Sequence, residues 1–228
     1  MCGLGGMLGQ PDPAILSRMI DLMRHRGPDG DGIFFDDNCG LAHARLAILD
    51  VVGSPQPLHG PGKVAVVNGE IYNHLSLKNP SYNYSTMGDS EIILSMHKGK
   101  GSAKDHAKWI SKLDGMFAFA LWSNDQLILA RDPVGIKPLM RTLVDDTLVF
   151  ASEAKALRAH EAYVPEIDTL AMKARIAWEY PLDATTLFAD VYQVRPGTVE
   201  VWELIDGIPK MTSSSRCEIQ KVEPTLNW

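Results

Sequence analysis

Met116-Phe117-Ala118-Phe119-Ala120-Leu121-Trp122, followed after Ser123-Asn124-Asp125-Gln126 by Leu127-Ile128-Leu129-Ala130, places two continuous apolar runs on either side of a short polar turn. Runs of this length, bounded by turn residues, read as paired strands. Neither run alternates with polar residues, so each strand needs cover on both faces, as in a layered sandwich. Further strands are expected over residues 33–35, 40–49, 63–67, 147–151 and 197–204. Between them, Gly27-Pro28-Asp29-Gly30 and Gly53-Ser54-Pro55-Gln56-Pro57 punctuate loops. Helices are expected to cover the sheets. Asp12 caps one that carries apolar residues at 15, 16, 19, 22 and 23, and Gly27-Pro28 stops it. A second is expected after Asp89-Ser90, and a short one over 152–160.

The 228 residues, 45% of them hydrophobic, suffice for one domain with a substantial core. With 28 acidic against 22 basic residues there is no basic surface for a phosphate backbone, which disfavours nucleic-acid binding. Cys2, Cys39 and Cys217 are too few and too scattered for a disulfide framework or a metal site, and no cofactor motif occurs. No apolar run approaches the ~18 residues of a membrane span. The apolar start ends at Gln10-Pro11-Asp12 without a basic leader, so a cytoplasmic location is expected. The packed domain is expected to span 1–205, with 206–228, including Thr212-Ser213-Ser214-Ser215, as a linker or tail.

Cys2 is the residue on which loss of the initiator methionine would place a thiol and a free amine together. The amine titrates near 7.7–8 and the thiol near 8.5, so the amine can accept the thiol's proton, and one residue can be nucleophile and base. Asn68 and Gly69 can supply an amide and a backbone N–H to a developing oxyanion, although Asn-Gly is equally a hairpin turn signal. Arg45 lies inside an apolar strand and needs either an anion or an outward orientation. Asp89 can hold an ammonium or simply cap its helix, and Glu70 can add a second anchor or stay solvated. Arg45 with Asp89 would bracket an α-amino acid. His25, His43 and His74 have no partners at triad spacing and read as structural, and Gly3, Gly5, Gly6 and Gly9 as close packing near a buried terminus.

These segments occur in a recognisable order. Met1-Cys2-Gly3, Arg24-His25-Arg26-Gly27-Pro28-Asp29-Gly30, His43-Ala44-Arg45-Leu46-Ala47-Ile48, Gln56-Pro57-Leu58 and Asn68-Gly69-Glu70-Ile71-Tyr72-Asn73 are followed by Gly88-Asp89-Ser90-Glu91, Leu113-Asp114-Gly115-Met116-Phe117, Ala130-Arg131-Asp132-Pro133-Val134-Gly135-Ile136-Lys137-Pro138-Leu139 and Phe150-Ala151-Ser152-Glu153. Together, to about residue 205, they resemble the N-terminal glutaminase domain of the glutamine-hydrolysing asparagine synthetases, a class II glutamine amidotransferase domain. The resemblance implies an α+β fold of the N-terminal-nucleophile hydrolase type, a four-layer αββα sandwich of two antiparallel sheets. It implies that Cys2 attacks the side-chain amide of glutamine to give a thioester, with Asn68 and Gly69 as the oxyanion hole. Arg45 would bind the substrate carboxylate, and Glu70 and Asp89 its amino group. The implied partner is an ATP-dependent synthetase domain or subunit that receives the ammonia.

The departures bear on function. The Ser-Gly-Gly-x-Asp-Ser loop expected of the synthetase domain does not occur in this sequence, so no synthetase activity is expected of the chain by itself. The stretch between Asn73 and Asp89 is short and rich in Asn, Ser and Tyr, and Met140 stands where an aromatic is common. A retained Met1 would deny Cys2 its free amine. The alternatives are a non-catalytic glutamine-binding or assembly module, and an N-terminal-nucleophile amidase acting on another amide.

Overall fold

A computed structural model describes residues 1–180 and 182–218. Two six-stranded sheets carry the molecule. The first has the order β10-β8-β9-β1-β3-β2, from β1 (Gly3–Leu8), β2 (Gly30–Phe35), β3 (Cys39–Arg45), β8 (Met140–Val144), β9 (Thr147–Ala151) and β10 (Tyr192–Gln193). The second has the order β12-β11-β7-β6-β5-β4, from β4 (Leu58–Gly60), β5 (Lys63–Ile71), β6 (Gly115–Ser123), β7 (Gln126–Arg131), β11 (Thr198–Ile205) and β12 (Ile208–Arg216). All the strand pairings are antiparallel.

The long apolar hairpin is β6–β7, and its two faces feed different layers. Phe117, Phe119 and Leu121 point to a core shared with α3 (Ile92–Met96) and α4 (Ala103–Ile110). Ala118, Ala120 and Trp122 point into the core between the sheets, against Leu4, Leu41 and Phe150. A third core lies under α1 (Pro13–Met23) and α5 (Ala154–Leu157), where Met19 and Met23 meet Ala42 and Val149. Three cores separate four layers, and the fold is the expected αββα sandwich. Asn124 and Asp125 both have positive φ, 52° and 57°, the geometry of the two-residue turn that matches strand twist.

Asp12 caps α1 by accepting from Ala14 N–H at 2.7 Å. The predicted close packing of the N-terminal glycines is present, since a Cβ on Gly6 would lie 2.4 Å from both Gly40 O and the Phe150 ring. The remaining helices are α2 (His74–Leu77) and α6 (Thr169–Trp178). The expectation of a tail from 206 fails: β12 pairs with β11 along its length. Asp206-Gly207 turns the chain with positive φ at both positions, 54° and 79°, and Asp-Gly is itself a strong hairpin signal. The serines form a polar edge strand, anchored where Ser213 Oγ accepts from Ala103 N–H at 2.9 Å. The end of that expected tail, 219–228, lies outside the described residues.

His43, on β3, is wholly buried and donates through Nε2 to Val67 O at 2.9 Å. Burial pushes its imidazole down to about 4. The unfolded chain takes up this proton near pH 6.5, well before the folded one, so the stabilisation is present above about 6.5 and is lost as pH falls toward 4. At most about 3 kcal/mol is at stake. Urea midpoints are expected to fall over that interval, less steeply in His43→Gln; parallel profiles would refute the assignment. His97, also pushed by burial to about 4, accounts for part of the slope that remains.

Candidate active site

Cys2 sits one residue before β1, and its position is set from both sides. Its carbonyl accepts from Arg26 Nε at 2.9 Å, and Arg26 is paired through Nη1 with Glu153 Oε1 at 2.8 Å. Glu153 also receives His25 and Lys155; although burial opposes it, hydrogen bonds from Arg26, His25 and Lys155 pull this carboxyl down to about 2. Arg26 and Glu153 appeared in the sequence only as members of matching blocks. Their positioning role was hidden because residues 26 and 153 come together only when α1 and α5 share one sheet face.

The Cys2 thiol accepts from Leu46 N–H at 3.3 Å. Burial pushes it above its ordinary value, against the opposing pull of the Leu46 hydrogen bond, the N-terminal amine, Arg45 and Lys137. With Met1 in place the thiol is therefore poorly ionised, and the amine is displaced one residue from it. Cys39 is fully buried between the sheets, and burial pushes Cys217 up to about 11. Cys2 opens on a cavity.

That cavity, of about 220 Å³, is lined by Cys2, Arg45, Asn68, Gly69, Glu70 and Asp89, so the fold brings all six candidates to one place. Its volume is below the ~300–1,000 Å³ of sites for drug-sized ligands and suits a small metabolite. Arg45 ends β3, and its guanidinium donates to the carbonyls of Val51 at 2.7 Å and Asp50 at 2.8 Å. Among the described residues no carboxylate pairs with it, which leaves its charge available to a ligand anion.

Asn68 and Gly69 are not a turn. They lie inside β5, opposite Ala118 and Phe117. A side chain at 69 is excluded by crowding, because a Cβ there would meet Met116 O at 2.1 Å. Asn68 is 1% exposed, and neither its Oδ1 nor its Nδ2 has a hydrogen-bond partner. A buried amide without partners costs about 1–3 kcal/mol. Asp89 does not cap α3 with its side chain; its Oδ2 accepts from Ile71 N–H at 2.6 Å, tying it to the end of β5 beside Glu70. His25, His43 and His74 each have a local partner, Glu153, Val67 O and Ile71 O, and none lines the cavity.

Comparison with known proteins bears on the family and the fold. The model of the glutamine amidotransferase domain matches residues 1–208. The chain belongs to this family. The amidotransferase domain is 36% identical over 213 residues to "Asparagine synthetase [glutamine-hydrolyzing] 1" of Bacillus subtilis, a match covering 87% of the chain and 33% of that relative. It is likewise 36% identical over 221 residues to "Amidase chry2" of Gibberella zeae, covering 86% of the chain and 32% of the relative. It spans about a third of the length of these curated relatives. Its fold is shared with the glutamine phosphoribosylpyrophosphate amidotransferase of B. subtilis, at a TM-score of 0.68 and 20% identity, covering 96% of this chain and 50% of that one. Among the described residues no helix is long and apolar enough to cross a membrane.

Proposed function

We propose that this domain hydrolyses glutamine to glutamate and ammonia once Met1 has been removed. The observation that carries the reading is the meeting of the Cys2 thiol with the unpartnered Asn68 amide in one cavity flanked by Arg45 and Asp89. Sγ attacks the side-chain amide carbon, and the carbonyl electron pair moves onto oxygen, where Asn68 Nδ2 and the Gly69 N–H donate to it. The thiol's proton passes to the Cys2 amine and on to the departing nitrogen as the C–N bond breaks. Water then cleaves the γ-glutamyl thioester. Arg45 holds the α-carboxylate, and Glu70 with Asp89 holds the α-amino group.

The ammonia goes to an ATP-dependent synthetase domain or subunit, a reading supported by relatives named as glutamine-hydrolysing asparagine synthetases and about three times as long as the matched stretch. Ile48 and Leu49, exposed apolar side chains that line the cavity, suit a covering partner. Three free cysteines favour the cytoplasm.

The amidase relative supports a second reading, an amide substrate other than free glutamine. Protein starting at Cys2 is expected to release glutamate from glutamine and to leave Nα-acetylglutamine untouched. Turnover of the blocked substrate would favour the amidase, and release from neither would overturn the enzyme reading. Arg45→Ala is expected to raise KM by about 2–4 kcal/mol equivalent with kcat little changed, as for a lost charge-assisted pair. An unchanged KM would remove Arg45 from carboxylate binding.

A further inference from the structure

One cation in the cavity is still without a role. Lys137 lines the same cavity as Cys2 and is only 6% exposed. Among the described residues its ammonium has neither a carboxylate within salt-bridge reach nor a hydrogen-bond acceptor, although Arg26 and Arg131, the other cations buried to this degree, are both fully engaged. The side chain is packed, but its Nζ is not sealed in: it reaches the open space of the cavity, where walls of low dielectric screen a charge less than bulk water does.

Its placement is rigid. The Lys137 N–H donates to Asp132 Oδ2 at 3.0 Å, while its carbonyl accepts from Arg131 Nε at 2.7 Å. Asp132 is itself fully buried and gathers the N–H groups of Val134, Gly135 and Ile136 on its other oxygen. A loop held by this many bonds delivers the lysine to one spot, as electrostatic preorganisation requires.

The charges around the thiol define what that spot needs. They are the N-terminal amine, Arg26 with Glu153 at the Cys2 carbonyl, Arg45 from β3, Glu70 from β5, Asp89 ahead of α3, and Lys137 ahead of β8. Arg45, Glu70 and Asp89 with a zwitterionic amino acid sum to one negative charge; the thiolate or tetrahedral oxyanion adds another, which the proton moved to the Cys2 amine offsets, so one negative charge is left uncompensated. Lys137 is the remaining cation lining the cavity.

We propose that Lys137 is a further catalytic residue, its ammonium facing the reacting end of the cavity and stabilising the Cys2 thiolate and the oxyanion formed from the substrate amide. This rests on the glutaminase reading for its substrate. The thiol proton still goes to the Cys2 amine, and the lysine contributes charge alone. The field of Lys137 at the thiol opposes the upward push of burial, in keeping with this role.

The test uses protein starting at Cys2, with Lys137→Met, Lys137→Gln and Lys137→Arg, and follows both glutamine kinetics and the pH dependence of thiol alkylation by iodoacetamide. Lys137→Met is expected to move alkylation to higher pH and to lower kcat about tenfold or more with KM nearly constant, and Lys137→Arg to recover most of both. Lys137→Gln, which keeps a polar tip, serves if the methionine variant does not fold. A wild-type alkylation profile in the folded neutral variants overturns the proposal, as does a loss confined to KM, which would make Lys137 a carboxylate ligand. Alkylation needs no turnover, so a shifted profile in a protein without glutaminase activity would uphold the lysine–thiol pairing and sink the glutaminase reading instead.

Discussion

Cys2→Ala is expected to reduce glutamate release to background, a loss of about 10⁴-fold or more, as when a covalent nucleophile is removed from a machine whose parts act as a unit. No second thiol can stand in. Cys39 is sealed in the core between the sheets, and Cys217, held up to about 11 by burial, does not line the cavity. Glutamine binding is expected to persist in the variant, because Arg45, Glu70 and Asp89 are anchored to β3, β5 and the α3 entry independently of the thiol. Calorimetry should therefore show near wild-type affinity alongside absent turnover. Equal release by Cys2→Ala and the parent would end the thioester mechanism. The same logic applies to Met1: protein released by a protease to begin at Cys2 is expected to be active, and the identical chain bearing Met1 to be nearly silent. In the Met1-bearing chain burial raises the thiol and the base sits on the wrong residue.

Asn68→Ala should lower kcat by about 100- to 1,000-fold, the usual cost of losing one oxyanion-hole donor, with little change in KM. Its effect on stability runs the other way from that of most buried polar deletions. Asn68 is 1% exposed and both polar atoms of its side chain are unpartnered, so truncation orphans no neighbour and removes two unsatisfied groups. Unfolding midpoints are expected to be unchanged or slightly raised. A fall of several kcal/mol in stability with kcat retained would mean that Asn68 is structural and that the oxyanion is held elsewhere. Such a site, costly to the fold and needed by the reaction, is where strain is expected to be stored.

The layered architecture was legible because burial on both faces leaves a direct mark: in β6–β7 neither face carries a polar period. The capped first helix and the glycine-rich N-terminal strand were legible for similar local reasons. Two stretches misled. Thr212-Ser213-Ser214-Ser215 lacks apolar periodicity, yet an edge strand needs little of it once backbone pairing and one hydrogen bond to α4 hold it in place. Asn68-Gly69 carries a turn dipeptide, but nine residues of β5 pairing with β6 override that local preference.

For the site, the sequence by itself determined which groups are available: one thiol at position two, a guanidinium in an apolar strand, a side-chain amide, a glycine N–H, two carboxylates, and the ordered blocks that mark the family. These are local properties of residue type and position. The tertiary structure decided that all six line one cavity, that Arg45 is held by loop carbonyls with no carboxylate paired to it among the described residues, that Asp89 serves β5 rather than its own helix, and that Arg26, Glu153 and Lys137 join the arrangement. The physical reason is distance along the chain. Burial and partnership depend on groups as far apart as residues 26 and 153, which only the packing of the two sheets and their helices brings within hydrogen-bond reach.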